Sequence, residues 1–173
     1  DPAPLRLITY GGAPIDPPLL RRALARFECG FQQQYGMTEA GSVSLLKAGD
    51  HDPEDNDALT SAGCDAAGYE LLIIDEKGDA LPRGVAGEIK LRGPGLMTGY
   101  WGLPEKTAES IINGWYHTGD VGYRDKRNFL HVVDRRNDMI ISGGENVYPR
   151  EVESVLAEHP AMIDAAVIGL PDP

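Results

Sequence analysis

Tyr35-Gly36-Met37-Thr38-Glu39 puts an aromatic ring, a hydroxyl and a carboxylate close together on a turn that Gly36 permits. A carboxylate such as Glu39 is a hard oxygen ligand suited to Mg²⁺, which keeps several waters and takes one or two protein carboxylates beside phosphate oxygens. The Thr38 hydroxyl can donate to a phosphate oxygen without adding charge, and Tyr35 can offer its ring face to a purine. Further along, Trp115-Tyr116-His117-Thr118-Gly119-Asp120 ends in an aspartate behind a glycine, where a carboxylate can accept two hydrogen bonds from a vicinal diol. Ring, hydroxyl, metal-grade carboxylate and diol acceptor together describe a nucleotide site. Taken alone, the pentapeptide reads first as a turn with an exposed Thr–Glu pair, and Asp120 as an ordinary turn residue.

Other candidates are weaker singly. Arg135 carries five donors and suits ribose or phosphate oxygens, or a surface salt bridge. Gly143-Gly144-Glu145 looks like a phosphate-cradling loop but lacks the Lys-Ser or Lys-Thr of a P-loop. Gly11-Gly12 is equally unspecific, and Trp101 and Trp115 read as core or rim aromatics. The four histidines are scattered, and Cys29 and Cys64 have no CxxC spacing, so neither a zinc site nor a disulfide framework is indicated. Two reduced thiols suit a cytoplasmic protein.

These residues must be positioned by elements that the pattern suggests. Leu5 to Tyr10 predicts a strand; Asp16 as N-cap and Pro17 at the first helical position open a helix whose stripe is Leu20, Ala23, Leu24 and Phe27. Gly30 is expected to end it, and Phe31 to Tyr35 resumes an extended stretch, which begins a parallel α/β unit. Residues 50–57 read as an acidic, irregular, solvated loop. Tyr69 to Asp75 and Gly87 to Arg92 predict antiparallel strands around the turn Glu76-Lys77-Gly78-Asp79. A short helix follows Pro104, with Ala108, Ile111 and Ile112 inward and Asn113-Gly114 closing it; Trp115 to Arg124 and Phe129 to Asp134 return to strands. Met139-Ile140-Ile141 leads through a glycine-rich loop to a helix opened by Pro149, with Val152, Val155 and Leu156 as its buried stripe, and Ala165 to Gly169 as a last strand.

The bulk numbers set limits. A length of 173 residues predicts one domain with part of another, and 42% apolar with 25% charged residues is ordinary for a chain that buries a core. A net charge of −11 argues against nucleic-acid and anionic-membrane partners, which would repel it. No apolar run approaches the roughly 18 residues of a membrane span, and no signal-peptide pattern is present.

In combination these segments closely resemble the AMP-forming acyl-CoA synthetases of the adenylate-forming ligase superfamily. The matching stretches occur in family order: Tyr10 to Ile15, Tyr35 to Ala40, Gly87 to Trp101, Tyr116 to Asp120 and Asp134 to Glu153. The resemblance implies a mixed α/β (α+β) fold. Residues 1–58 would end the α/β part of a large domain, 59–134 form a β-barrel-like part, 135–138 a hinge, and 139–173 begin a small C-terminal α+β domain. Gly12, Ala13, Pro14 and Tyr35 would enclose adenine; Thr38 would contact the α-phosphate; Glu39 would help hold Mg²⁺; Asp120 would take both ribose hydroxyls, with Arg135 on the same sugar. Asn137 would sit in the hinge, and Gly143, Gly144 and Glu145 would line a tunnel for the pantetheine arm of CoA.

The implied substrates are ATP, CoA and a small carboxylic acid, fatty or otherwise aliphatic before aryl (benzoate or cinnamate type). The texture of Met139 to Pro149 favours free CoA over a carrier protein as acceptor. Departures are informative. The family's phosphate loop and catalytic lysine are expected upstream of Asp1 and beyond Pro173, so the chain reads as a fragment, inactive in isolation, whose unpaired strand edges invite association. Asn137 replaces the usual Asp or Lys, and Gln33 stands where related adenylation domains tend to have Asn. A non-catalytic nucleotide-binding module is the alternative from another functional class.

Overall fold

The computed structural model describes residues 4–136, 138–142, 145–157, 159, 161–163 and 165–170. Strand β1 (Leu7–Gly11) leads to helix α1 (Pro17–Arg26) and back to strand β2 (Gly30–Met37), which lies parallel to β1 with Leu7 opposite Gly30 and Gly11 opposite Gln34. The expected parallel unit is therefore present. Helix α1 forms because its apolar residues fall on one stripe: Leu20 is fully buried with Phe31 and Leu59, and Ala23, Leu24 and Phe27 pack around them. Its details differ from expectation. Asp16 is the N-cap without a side-chain cap bond, and the helix ends at Arg26, where Phe27 turns extended to stay in that cluster; Gly30 opens β2.

From β2 the chain reverses into strand β3 (Gly41–Leu46) and then strand β4 (Cys64–Asp65), both antiparallel additions to the same sheet. The acidic stretch between them is more regular than a solvated loop. Residues 48–50 make a 3-10 turn and Asn56–Leu59 a short helix, α2. The Asp55 carboxylate accepts from the Ala58 N–H at the helix start and pairs with Arg127, so this acidic group is fixed by a cap and a counter-charge.

The second sheet holds strands β5 (Glu70–Ile74), β6 (Gly87–Arg92), β7 (Ile111–Ile112), β8 (Trp115–Arg124) and β9 (Leu130–Arg135). Its order is β5-β6-β8-β7, and β9 also pairs with β8, along the later half of that strand. Register shifts between Glu88 and Lys90 and between Val121 and Gly122 curl the sheet. The helix after Pro104, α3 (Pro104–Ser110), ends before the isoleucines, which form β7, and Ala108 is exposed. Asn113 and Gly114, at φ 52° and 79°, are the two-residue turn of a β7–β8 hairpin and not a helix cap.

One apolar cluster joins the two sheets. Ala40, Val43 and Ala62 from the first pack with Leu71, Ile73, Ile89, Leu91, Tyr116 and Leu130 from the second. Backbone bonds Ala62 N–H to Leu130 O and Leu130 N–H to Gly63 O, both 2.7 Å, stitch the same seam, as does the Arg124–Asp65 ion pair. Beyond it, strands β10 (Ile140–Ser142) and β11 (Glu145–Val147) form a separate hairpin followed by helix α4 (Pro149–Ala157). The α4 stripe is not buried among the described residues: Val152, Val155 and Leu156 are 38%, 65% and 38% exposed. Residues 165–170 form no strand among the described residues, although a Cβ at Gly169 would lie 3.2 Å from Ile140. No helix among the described residues is long and apolar enough to cross a membrane.

Candidate functional site

Parallel strands β1 and β2 deliver their carboxyl ends to one edge, the usual place for a ligand crevice in such sheets. Gly12, Ala13 and Pro14 leave β1 there and are exposed; Tyr35 to Met37 end β2 beside them, and Thr38 to Ala40 form the turn that follows. The ladder between β2 and β3 slips between Tyr35 and Gly36, which re-aims the Tyr35 side chain. Gly36 is required by close approach: a Cβ there would fall 2.1 Å from the Gly41 carbonyl oxygen. The turn is pinned by Ala40 N–H to Met37 O at 3.2 Å, Met97 N–H to Glu39 O at 2.7 Å and Tyr69 Oη to Ala40 O at 2.5 Å. A fully buried Ala40 completes this anchorage.

Strand β8 supplies the facing residues. Tyr35 Oη donates to Asp120 Oδ2 at 2.5 Å, across 85 residues of chain. Thr118 Oγ1 donates to the Ile89 carbonyl at 2.7 Å and accepts the Asp120 N–H at 3.0 Å, which fixes the backbone behind the carboxylate. Arg135, opposite Asp120 in the β8–β9 ladder, brings Nε to 3.8 Å from Asp120 Oδ1 and is 77% exposed, so its pairing is solvent-screened and weak. Burial foremost, then the Asp120 charge and its hydrogen bond, pushes the Tyr35 phenol far above its ordinary pKa of 10.0, so it stays a donor.

Glu39 is half-buried, and its Oε1 accepts from Tyr100 Oη at 2.9 Å. Tyr100 Oη is in turn 3.3 Å from Tyr116 Oη, on β8. Strand β2 and the turn after it are thus tied by side chains to β8 twice, directly through Tyr35, which lies in the strand and not on the expected turn, and indirectly through Glu39, Tyr100 and Tyr116. Thr38 is exposed, with no side-chain partner among the described residues. No cluster of three or more His, Cys, Asp or Glu gathers among the described residues. Glu39 is the carboxylate this turn offers, a donor that fits Mg²⁺ when phosphate oxygens and waters fill its other positions.

Tyr35, Asp120 and Arg135 are thus brought into one cluster, and Gly12 to Pro14 lie at the same sheet edge. Asn137, Gly143 and Gly144 lie outside the described residues; Glu145 opens β11. Tyr100 and Thr118 join this arrangement without a sequence signal that marks them as functional groups. A phenol placed one residue before a tryptophan offered little signal, because its partner is 61 residues away. Trp101 is fully exposed, whereas Trp115 lies under Lys90 Nζ at 5.2 Å and the Arg92 guanidinium at 4.5 Å.

Comparison with known proteins bears on this geometry. The family model described as AMP-binding enzyme matches residues 1–101. The fatty acid–[acyl-carrier-protein] ligase ScoC of Streptomyces coeruleorubidus is 44% identical over 97% of this chain and 32% of its own length. A feruloyl-CoA synthase of Amycolatopsis sp is 45% identical over 100% of this chain and 34% of its own. The structure of o-succinylbenzoate CoA synthetase (MenE) from Bacillus subtilis with its acyl-adenylate intermediate superposes with a TM-score of 0.88, at 40% identity, over 98% of this chain and 34% of that one. The same enzyme has been solved with ATP and a magnesium ion, at a TM-score of 0.84 to this chain. The chain spans about a third of the length of the curated relatives it matches.

Proposed function

Because the chain belongs to the AMP-binding enzyme family, we propose that the whole protein is an ATP-dependent, AMP-forming ligase that joins a carboxylic acid to a thiol. The acid's carboxylate attacks the α-phosphorus of ATP, expelling pyrophosphate and leaving an acyl-adenylate; a thiol then attacks the acyl carbon and AMP departs. No general base is needed in the first half, since the attacking carboxylate is already ionised at pH 7.

Each residue has a part in this reading. Gly12, Ala13, Pro14 and the Tyr35 ring enclose the adenine. Asp120 accepts both ribose hydroxyls, which requires the Tyr35 hydroxyl and Arg135 to share or yield its oxygens. Arg135 reaches the same sugar, Thr38 donates to the α-phosphate and Glu39 is the Mg²⁺ carboxylate. Bound Mg²⁺ supplies electrostatic stabilisation to the charge that develops on the phosphate oxygens. Asn137 acts within a hinge at 135–138, between the parts at 1–58 and 59–134 and a small domain that begins at 139. Gly143, Gly144 and Glu145 line the thiol's approach. What supports this reading most is a single arrangement: Tyr35 at the end of β2 and Glu39 on the turn after it are hydrogen-bonded through their side chains to Asp120 and to Tyr100.

The acid is fatty or otherwise aliphatic in this proposal, with CoA as acceptor and the cytoplasm as setting. The relatives' names span fatty, feruloyl and succinylbenzoate acids, so an aryl acid is the second reading. A carrier-protein thiol is the second reading for the acceptor, favoured by the 44% identity to ScoC. ATP–pyrophosphate exchange with Mg²⁺ and a panel of aliphatic and aromatic acids, run on the whole protein beside this chain, tests all of it. Acid-dependent exchange by the whole protein alone is expected, and the best acid names the class. Silence across the panel would favour a nucleotide-binding module without catalysis.

A further inference from the structure

Glu39 is held with more precision than a turn carboxylate needs. Its backbone carbonyl accepts the Met97 N–H at 2.7 Å, and its Oε1 accepts the Tyr100 hydroxyl at 2.9 Å. A phenol carries one proton, so a Tyr100 that donates to Glu39 can only accept from Tyr116, 3.3 Å away. The bonds therefore run in one direction, from Tyr116 through Tyr100 to Glu39, and each strengthens the next. Tyr116 is 6% exposed on β8, so the far end of the chain is fixed in the core that joins the two sheets. Burial first, then the bond to Tyr100 and the nearby Glu39 charge, keeps the Tyr116 phenol protonated well above its usual range. Lys106 Nζ stands 4.7 Å from the Tyr100 ring centre, and a cation over the ring strengthens that phenol as a donor.

We propose that Tyr100, backed by Tyr116, is a positioning residue that commits Glu39 Oε1 to a hydrogen bond and leaves Oε2 alone to face a divalent cation. A one-oxygen carboxylate suits Mg²⁺, which is small and octahedral; Ca²⁺ more often takes both oxygens of a carboxylate. The tyrosines thereby set cation selectivity for Mg²⁺ over Ca²⁺ without touching the metal. This rests on Glu39 being the Mg²⁺ carboxylate of the proposed ligase.

Calorimetric titration of the whole protein tests it, with ATP in Mg²⁺, ATP in Ca²⁺ and AMP without metal. Tyr100→Phe keeps the ring and removes the donor. It is expected to leave metal-free AMP affinity within about twofold, to weaken Mg²⁺–ATP binding about tenfold, and to lower the Mg²⁺-over-Ca²⁺ preference about fivefold, the range typical when a ligand's hydrogen-bond partner is lost. Tyr116→Phe should act in the same direction with a smaller amplitude, and it carries the test if Tyr100→Phe loses cooperative melting. An unchanged cation preference in a folded variant overturns the inference while wild-type ATP binding keeps the ligase reading. Wild-type protein that binds neither nucleotide removes both.

Discussion

Two regions of the molecule are built by opposite means. Up to residue 136, two sheets share an apolar core that runs from Ala40 to Leu130, and a smaller cluster of Leu20, Phe31 and Leu59 packs under α1. After residue 138 the chain makes a hairpin and a helix that leave several apolar side chains in solvent: Ile141 is 70% exposed and Val155 65%. The first region holds its candidate site residues by hydrogen bonds, Tyr35 to Asp120, Tyr100 to Glu39 and the Asp120 N–H to Thr118. Among the described residues the second has an amphipathic helix, α4, whose apolar stripe is exposed, and an amphipathic helix draws most of its stability from a covered face. Arg135 stands at the boundary, paired in the β8–β9 ladder but largely exposed. Among the described residues, fixed side-chain geometry therefore goes with the core.

The sharpest way to break this contrast is to cut the core. Leu91 is fully buried between the sheets, and Leu91→Ala should cost about 2–5 kcal/mol by urea unfolding, lost transfer energy plus a cavity. Next comes the site. Asp120→Ala should weaken AMP binding by the whole protein roughly hundredfold, the loss of two charge-assisted hydrogen bonds of about 1.5 kcal/mol each. Gly36→Ala should cost about 1–3 kcal/mol, since its Cβ must displace the Gly41 carbonyl.

A smaller effect is read through pH. His51 Nδ1 faces the Lys47 carbonyl at 2.8 Å and must donate, so in the neutral ring Nε2 accepts from Tyr10 Oη at 3.0 Å. Burial lowers the His51 pKa from 6.5, so the folded chain binds fewer protons there than the unfolded one. Its contribution is complete above about pH 6.5 and is lost as pH falls below it. Melting temperature should therefore drop between about pH 7.5 and pH 5 in the wild type, and drop less in His51→Gln. The smallest effect belongs to the other region. Val155→Ala in this chain should change stability by less than about 0.5 kcal/mol, and a larger loss would mean that α4 is packed after all.

What could be read in advance divides along physical lines. Strands β5, β6, β8 and β9 were legible because alternation and glycine turns are local signals, and α1 because Leu20, Ala23, Leu24 and Phe27 share a stripe. Tyr35, Glu39 and Asp120 were legible as residue types in a family pattern, but the bonds joining them were not. Tyr35–Asp120 and Glu39–Tyr100 span 85 and 61 residues, and no local rule pairs groups so far apart. The Val152, Val155 and Leu156 stripe misled for a related reason: periodicity states what a helix can bury, not that a surface is there to bury it. Asn113-Gly114 misled because the same dipeptide closes helices and turns hairpins, and here the positive φ of both residues serves β7 and β8.

The central claim is that Asp120, presented by β8 against Tyr35, accepts the ribose diol of an adenine nucleotide. Titrating the whole protein with AMP and with 2′,3′-dideoxy-AMP tests it most directly, since the two ligands differ only at that diol. The account predicts that AMP binds at least about tenfold more tightly, and that Asp120→Ala abolishes the difference. Equal affinities in the wild type would contradict it and separate Asp120 from the nucleotide.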